Sequence, residues 1–446
     1  MSTYKPIIIN NGQFLMEETE PSIGKLIGEF VDVVIPRGFV TEWTVPDSKS
    51  ITLPFTNNGT YNATVDWGDG SALSTITTYS DANATHTYVS AGTYEIEIKG
   101  EAPGWSINNN AATASYITDI IHWGDRTEFS GFSYLSNGFY GCLNLKTTGK
   151  GKILSNSNLS TFIRLFCNCS SLSGITSGLF DYSTELTSSA FQSTFQYCPN
   201  ITAIPNGLFN YNTGVTSDAF NSTFGGGSSI TIIPTDLFKY NTIVSSNGFY
   251  RTFYGCTVLS SIPSDLFRYN ILLTGSAFVY TFALCSSITT IPSGLFNHNT
   301  GVTNFTSTFQ NCYALLEIPT DLFKYNTEAT NFSNTFYACT NLQTVPDLLF
   351  KYNTLATNFT NVLGYAYDLA LNPKTFYDTG EQSTRFAGKA MIFTNCFYRS
   401  SSYANGTAPD LWNCTLDSVT STSCFGGSGN NATSLTNYAD IPDGWK

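Results

Sequence analysis

NFSNTFYACTNLQTVPDLLFKYN, residues 331–353, follows NFTSTFQNCYALLEIPTDLFKYN, residues 304–326, at a distance of 27 residues. Two Phe, a Cys, a Leu, an aliphatic residue before Pro, a Leu-Phe pair and a Tyr-Asn pair recur in step. The pattern runs through most of the chain. Leu-Phe pairs fall at 179–180, 208–209, 237–238, 266–267, 295–296, 322–323 and 349–350, spaced 29 residues four times and then 27 twice. Ile-Pro or Val-Pro begins at 204, 233, 262, 291, 318 and 345 in the same steps. Phe195, Phe224, Phe253, Phe282, Phe309 and Phe336 form another column, with a second Phe column four residues earlier. A fixed period of this size means stacked coils, because one unit cannot bury its apolar face alone.

Within a coil, Phe332, Phe336 and Cys339 stand at i, i+4 and i+7, which predicts a short helix. LQTVP predicts a brief strand closed by Pro346, which would start a second helix, PDLLFKY. Asn353 would stop that helix in the left-handed conformation. Each coil is thus expected to be helix, strand, helix, turn, its strands stacking into a narrow parallel sheet.

The pattern resembles the BspA-like leucine-rich-repeat proteins of bacterial surfaces, over roughly residues 116–446. That resemblance implies adhesion or partner binding, and no catalytic residues carry over from it. Upstream, VDWGDGS and HTYVSAGTYEIEI show strand alternation at Val65 and Trp67 and at Tyr94, Ile96 and Ile98, with turn residues at Asp69-Gly70 and Ala91-Gly92. These tracts resemble a PKD-type, immunoglobulin-like β-sandwich, which implies a spacer or adhesion module. The leader YKPIIINNGQFL resembles the opening of bacteriophage fibre proteins, which implies a virion anchor.

The expected fold is therefore multidomain: a PKD/Ig-like β-sandwich followed by an α/β leucine-rich-repeat solenoid of 27–29-residue coils. The expected divisions are an anchor segment 1–36, a sandwich 37–102, a junction and N-terminal cap 103–135, the regular solenoid 136–360, and degenerate repeats with a C-terminal cap 361–446. Beta-like runs are expected at 6–9 and 30–35, with a turn at Asn11-Gly12.

Composition narrows the function. The chain has 446 residues, 41% of them apolar, but only 12% charged, far below the usual quarter. The surface must be largely Ser, Thr, Asn and Gly. Net charge is −12 with no basic stripe, which speaks against nucleic acid. Ile7–Ile9 is too short for a secretory signal core, and no stretch is long enough for a membrane span.

Seven of the eleven Cys, at 142, 169, 198, 256, 285, 312 and 339, share a column. Coils that contain helices would stand about 10 Å apart, too far for disulfides between neighbours. The single tight pair, Cys167-Asn168-Cys169, lacks a His partner for zinc. Gly227 replaces Cys once, so the position is read as selecting a small buried residue. The Asn column at 212, 241, 270, 299, 326 and 353 is read as a set of left-handed turns. Asp66 to Gly70 lacks the ligand spacing of a calcium loop. The Asn-x-Ser/Thr triplets follow the repeat and are not read as glycosylation sites. His86, His122 and His298 have no local catalytic partner, and no carboxylate pair suggests a glycosidase. No cofactor, metal or catalytic residue is expected.

Two candidate sites remain. Pro6, Ile7, Ile8, Ile9, Phe14 and Leu15 would anchor the chain to a capsid or tail protein. Tyr211, Tyr240, Tyr269, His298, Tyr325 and Tyr352, continuing a column that begins at Tyr182, would form a ladder facing a host glycan or surface protein. The plain alternative is that these rings cover the solenoid edge with their hydroxyls in water. The leading expectation is a non-enzymatic head or tail fibre on a virion, assembled as a homo-oligomer, with a trimer expected by analogy. The alternatives are a bacterial BspA-like adhesin and, last, a polysaccharide depolymerase.

Overall fold

The structure, a computed structural model, describes residues 36–108, 110–227, 229–398, 406–426 and 435–446, and the backbone of two further strands. Those strands, β1 (Tyr4–Ile9) and β2 (Gln13–Glu18), pair antiparallel, with Ile7 opposite Leu15 and Ile8 opposite Phe14. The side chains of the expected anchor residues Pro6, Ile7, Ile8, Ile9, Phe14 and Leu15 lie outside the described set, and so does the run expected at 30–35.

The next elements are β3 (Phe39–Val45), β4 (Ser50–Thr52), β5 (Asn62–Asp66), β6 (Ser74–Ile76), β7 (Thr85–Thr87), β8 (Gly92–Glu101) and β9 (Ile117–Trp123). Five of them form a sheet in the order β6-β5-β8-β3-β9, while β4 and β7 pair separately. Ala63 and Val65 of β5 and Ile96 and Ile98 of β8 point inward, as the alternation requires. Phe39, Val40 and Thr41 are all fully buried, so central β3 is covered on both faces. Gly68 has φ +73°, and a Cβ there would stand 2.4 Å from the Glu95 carbonyl oxygen. Only glycine meets both demands.

β9 serves two structures. One edge pairs antiparallel with β3. On the other, His122 bridges in parallel to Lys150 of the coils. Trp123 packs edge-on to Phe132, Phe139 and Phe166. One continuous apolar cluster therefore runs from the sheet into the coils.

The chain is mostly β and turn, with little helix. Among the described residues the α-helices are α1 (Ala111–Ala114) and α2 (Gln382–Arg385), both outside 136–360. The expected α/β coil is thus corrected: its helices are absent. In the segment around Phe191 and Phe195, Ser189, Ser193 and Tyr197 have positive φ. The N–H groups of Phe191, Ser193, Phe195 and Tyr197 donate to Ala219, Asn221, Thr223 and Gly225 of the next coil. Those of Gln192, Thr194 and Gln196 close turns onto the third residue back. A left-handed residue at every fourth position returns side chains to one face, as a helix does, but half of the N–H groups face the neighbouring coil. The i, i+4 spacing of Phe is common to both conformations. The LFKYN segment is likewise a run of turns, with Leu237, Lys239 and Asn241 each donating to the third residue back. Within 136–360 the expected parallel sheet is reduced to isolated bridges such as Glu317 to Thr344, and a short parallel pair, Ala390–Ile392 with Ser418–Thr420, forms beyond it.

Loss of the helices changes the pitch. From Phe166 to Phe336, successive rings of one column stack with centroids 5.5–5.8 Å apart. That is close to the strand spacing of about 4.8 Å and well short of the expected 10 Å. Three Phe columns interleave, for example Phe180 with Phe191 at 4.9 Å and Phe191 with Phe209 at 4.5 Å.

Candidate functional site

Three buried hydrogen-bond ladders fix what each coil can present. In the first, Asn241 Nδ2 donates to the carbonyls of Phe209 (3.1 Å) and Asn212 (2.9 Å) in the preceding coil. Asn270, Asn299, Asn326 and Asn353 repeat this, and Asn212 donates to Phe180 and Ser183. None of these Asn has a positive φ. The expectation of left-handed turns is therefore corrected: the residue is chosen for its amide donors. In the second, Thr194, Thr223, Thr252, Thr281, Thr308 and Thr335 donate to a Phe carbonyl of the coil before.

Cysteine supplies the third ladder. Cys169, Cys198, Cys256, Cys285, Cys312 and Cys339 aim Sγ at a Phe carbonyl of the preceding coil, at 3.0–3.6 Å. Among the described residues, which include all eleven Cys, none forms a disulfide. The spacing that was expected to keep them apart does not hold, but each of these thiols is occupied as a donor. Burial pushes Cys198 and Cys339 up to about 12, so neither offers a thiolate for metal or redox chemistry. Gly227 sits at φ +86°. Its place in the column therefore reflects a different backbone as well as small size.

With Leu, Phe and Asn held inside, the Tyr before each Asn must point out. Tyr182, Tyr211, Tyr240, Tyr269, Tyr325 and Tyr352 are exposed, from 40% at Tyr269 to 58% at Tyr211. His298 is exposed in the same column and interrupts the phenols where the period falls from 29 to 27. Cations lie over the rings: Lys239 Nζ stands 5.7 Å from Tyr240 and 5.9 Å from Tyr269, tying adjacent coils, and Lys324 is 5.6 Å from Tyr325. Tyr182 has Arg126 and Lys152 over it. Each of three cations also meets a carboxylate three residues earlier, Lys239 with Asp236, Arg268 with Asp265 and Lys324 with Asp321. The charge of Asp236 raises the Lys239 pKa. Ile243, Ile271, Leu272 and Leu355, one or two residues beyond the Tyr-Asn pairs, are exposed as well. The edge is thus aromatic and aliphatic, with locally balanced charge, which suits a neutral partner better than a polyanion.

The other sequence features resolve as architecture. Asp66 and Asp69 bind backbone N–H groups two residues on, and Asp69 Oδ2 meets His86 Nε2 at 2.7 Å. His86 stacks on Trp67 at 4.9 Å. His122 Nδ1 accepts the Gly124 N–H. Among the described residues no cluster of His, Cys, Asp and Glu could hold a metal ion, and no helix is long and apolar enough to cross a membrane.

Sequence reasoning missed a second aromatic cluster. The Arg251 guanidinium lies over Tyr250, Tyr254 and Tyr280 at 5.3, 5.4 and 4.7 Å. FYRTFY and VYTF, where Tyr and Arg interrupt a Ser/Thr-rich pattern, carried that signal.

No family model matches the chain, and no curated protein matches it. Among solved structures, a leucine-rich cell surface protein from Faecalibacterium prausnitzii matches at 18% identity over 55% of this chain and 80% of that one, with a TM-score of 0.19. At that TM-score the likeness carries no argument about fold or activity.

Proposed function

We propose that this chain is a non-enzymatic adhesin, a leucine-rich-repeat-type solenoid behind a PKD-like β-sandwich, that binds a surface partner along its tyrosine edge. The observation that supports this is the exposed column from Tyr182 to Tyr352, flanked by exposed Ile243, Ile271, Leu272 and Leu355. Exposed apolar rows of this kind are costly unless a partner covers them. The ladders beneath make the column rigid, which lowers the entropy lost on binding. The favoured partner is a neutral glycan or a glycoprotein, since cations and carboxylates along the edge are already paired. The virion-fibre reading rests on the leader, and pairing of β1 with β2 does not favour it over cell-surface display.

The test is binding of the purified chain to immobilised mucin glycoprotein and to neutral capsular polysaccharide. A variant with Tyr240→Ser, Tyr269→Ser and Tyr325→Ser should fold normally and lose at least about tenfold in affinity, as expected when aromatic anchors are removed. Equal binding by the variant, or none by the parent, would sink the proposal. Probing intact bacteria and purified phage particles with an antibody separates the two modes of display.

A further inference from the structure

Away from the tyrosine edge, the stretches 373–382, 407–413 and 437–440 border an open cleft of about 560 Å³. That lies within the range of about 300–1,000 Å³ typical of small-ligand sites. Trp412 is half-buried in its wall and is braced edge-on by Phe425 at 5.9 Å. Asp410 is held from two sides: Tyr377 donates its hydroxyl to Oδ1 at 2.5 Å, and Gln382 Nε2 approaches Oδ2 at 3.5 Å. Tyr377 is itself buried, and burial, reinforced by the bond to Asp410, raises its pKa, so the phenol stays a donor. Asn437 clamps the opposite wall, with Oδ1 accepting the Ala408 N–H and Nδ2 donating to the Ala408 carbonyl. Asn413 and Asp440 line the mouth, both exposed.

The chemistry selects a ligand class. Lys374, the cation in the lining, is paired with Asp378 at 3.3 Å. Asp410 and Asp440 remain, so an anion is disfavoured. Both Asp410 oxygens already take neutral donors, which is the way a carboxylate engages hydroxyl groups. An indole beside fixed carboxylate and amide groups matches the alternating apolar faces and hydroxyl edges of a sugar ring. We propose that this cleft is a binding site for a neutral monosaccharide unit, with the ring against Trp412 and hydroxyls donating to Asp410 and meeting Asn413. The proposal is independent of the tyrosine edge.

Saturation-transfer NMR and calorimetry on the full chain would use glucose, galactose, mannose and N-acetylglucosamine, with choline as a cationic control. Saturable binding of at least one sugar is expected, weakened about fivefold to tenfold by Trp412→Ala. Asn413→Ala removes an exposed side chain, so it should weaken binding without touching the fold. Binding of choline alone, binding of no sugar, or unchanged binding in both Trp412→Ala and Asn413→Ala would overturn the proposal.

Discussion

Arg385 binds the backbone carbonyl of Asn353, the position where the regular Asn ladder ends. Its Nη2 donates to the carbonyls of Asn353 (3.1 Å) and Phe350 (2.9 Å). Those are the positions that each Asn amide serves one coil earlier. Both carbonyls already accept a turn N–H, from Asn353 and Ala356; the guanidinium adds the second donor that an Asn amide provides in the coils before, and these charge-assisted bonds offset part of the cost of burying an ion. Burial pulls the guanidinium pKa down to about 10.

The ladder should respond more to charge than to loss of the side chain. Asn270 is fully buried, with both amide bonds on carbonyls and Oδ1 unpaired. Asn270→Ala removes the second donor from the Phe238 and Asn241 carbonyls, which keep the N–H bonds of Asn241 and Val244, and should cost about 1–3 kcal/mol. Asn270→Asp keeps the shape but sets a carboxylate against the same carbonyls, so it should be the worse of the two. Urea midpoints of the two variants rank them, and an Asp variant as stable as the Ala variant would refute the donor role.

Thiol titration should be nearly silent in the native protein. Of the eleven Cys, only Cys414 is partly accessible, and burial holds it up at about 11. A thiol-reactive dye at pH 8 should label at most one group per chain before denaturation and all eleven after it. Rapid labelling of several groups in the native state would contradict the column geometry.

Acid should weaken the sheet through Asp69. Burial opposes ionisation of this carboxyl, but bonds from Ser71 and His86 outweigh it and lower the pKa from 3.8 to about 2. A proton thus binds the unfolded chain more readily than the folded one. The stabilisation is whole above pH 3.8 and is lost as pH falls through about 2. Asp69→Asn should melt below the parent at pH 7, and the gap should narrow below about pH 4 and close only below about pH 2. Thermal melts followed by near-ultraviolet circular dichroism measure it.

The columns were legible because close packing leaves each position one kind of side chain. Leu-Phe pairs, both Phe columns and the outward Tyr follow from spacing alone. The helix was misread because Phe191 and Phe195 recur identically in a helix and in a ribbon with Ser189, Ser193 and Tyr197 left-handed. Spacing reports which face a residue occupies, not where its N–H points. The Asn ladder was visible, but its role was not, since Asn favours both left-handed turns and amide pairing. Arg385 could not be found this way: its bonds span 32 and 35 residues, off the period of 27. The cleft around Trp412 lies where the register decays, so only folding brings 377, 410 and 437 together.

Strand Ile117–Trp123 carries a mechanical consequence. Its backbone is bonded to β3 on one side and bridged to the coils on the other, with the Trp123 ring embedded among coil phenylalanines. Tension applied to the five-stranded sheet therefore reaches the coils as shear, loading several parallel bonds together. Sheet and stack transmit force as one lever, without the swinging joint that a peptide tether would provide.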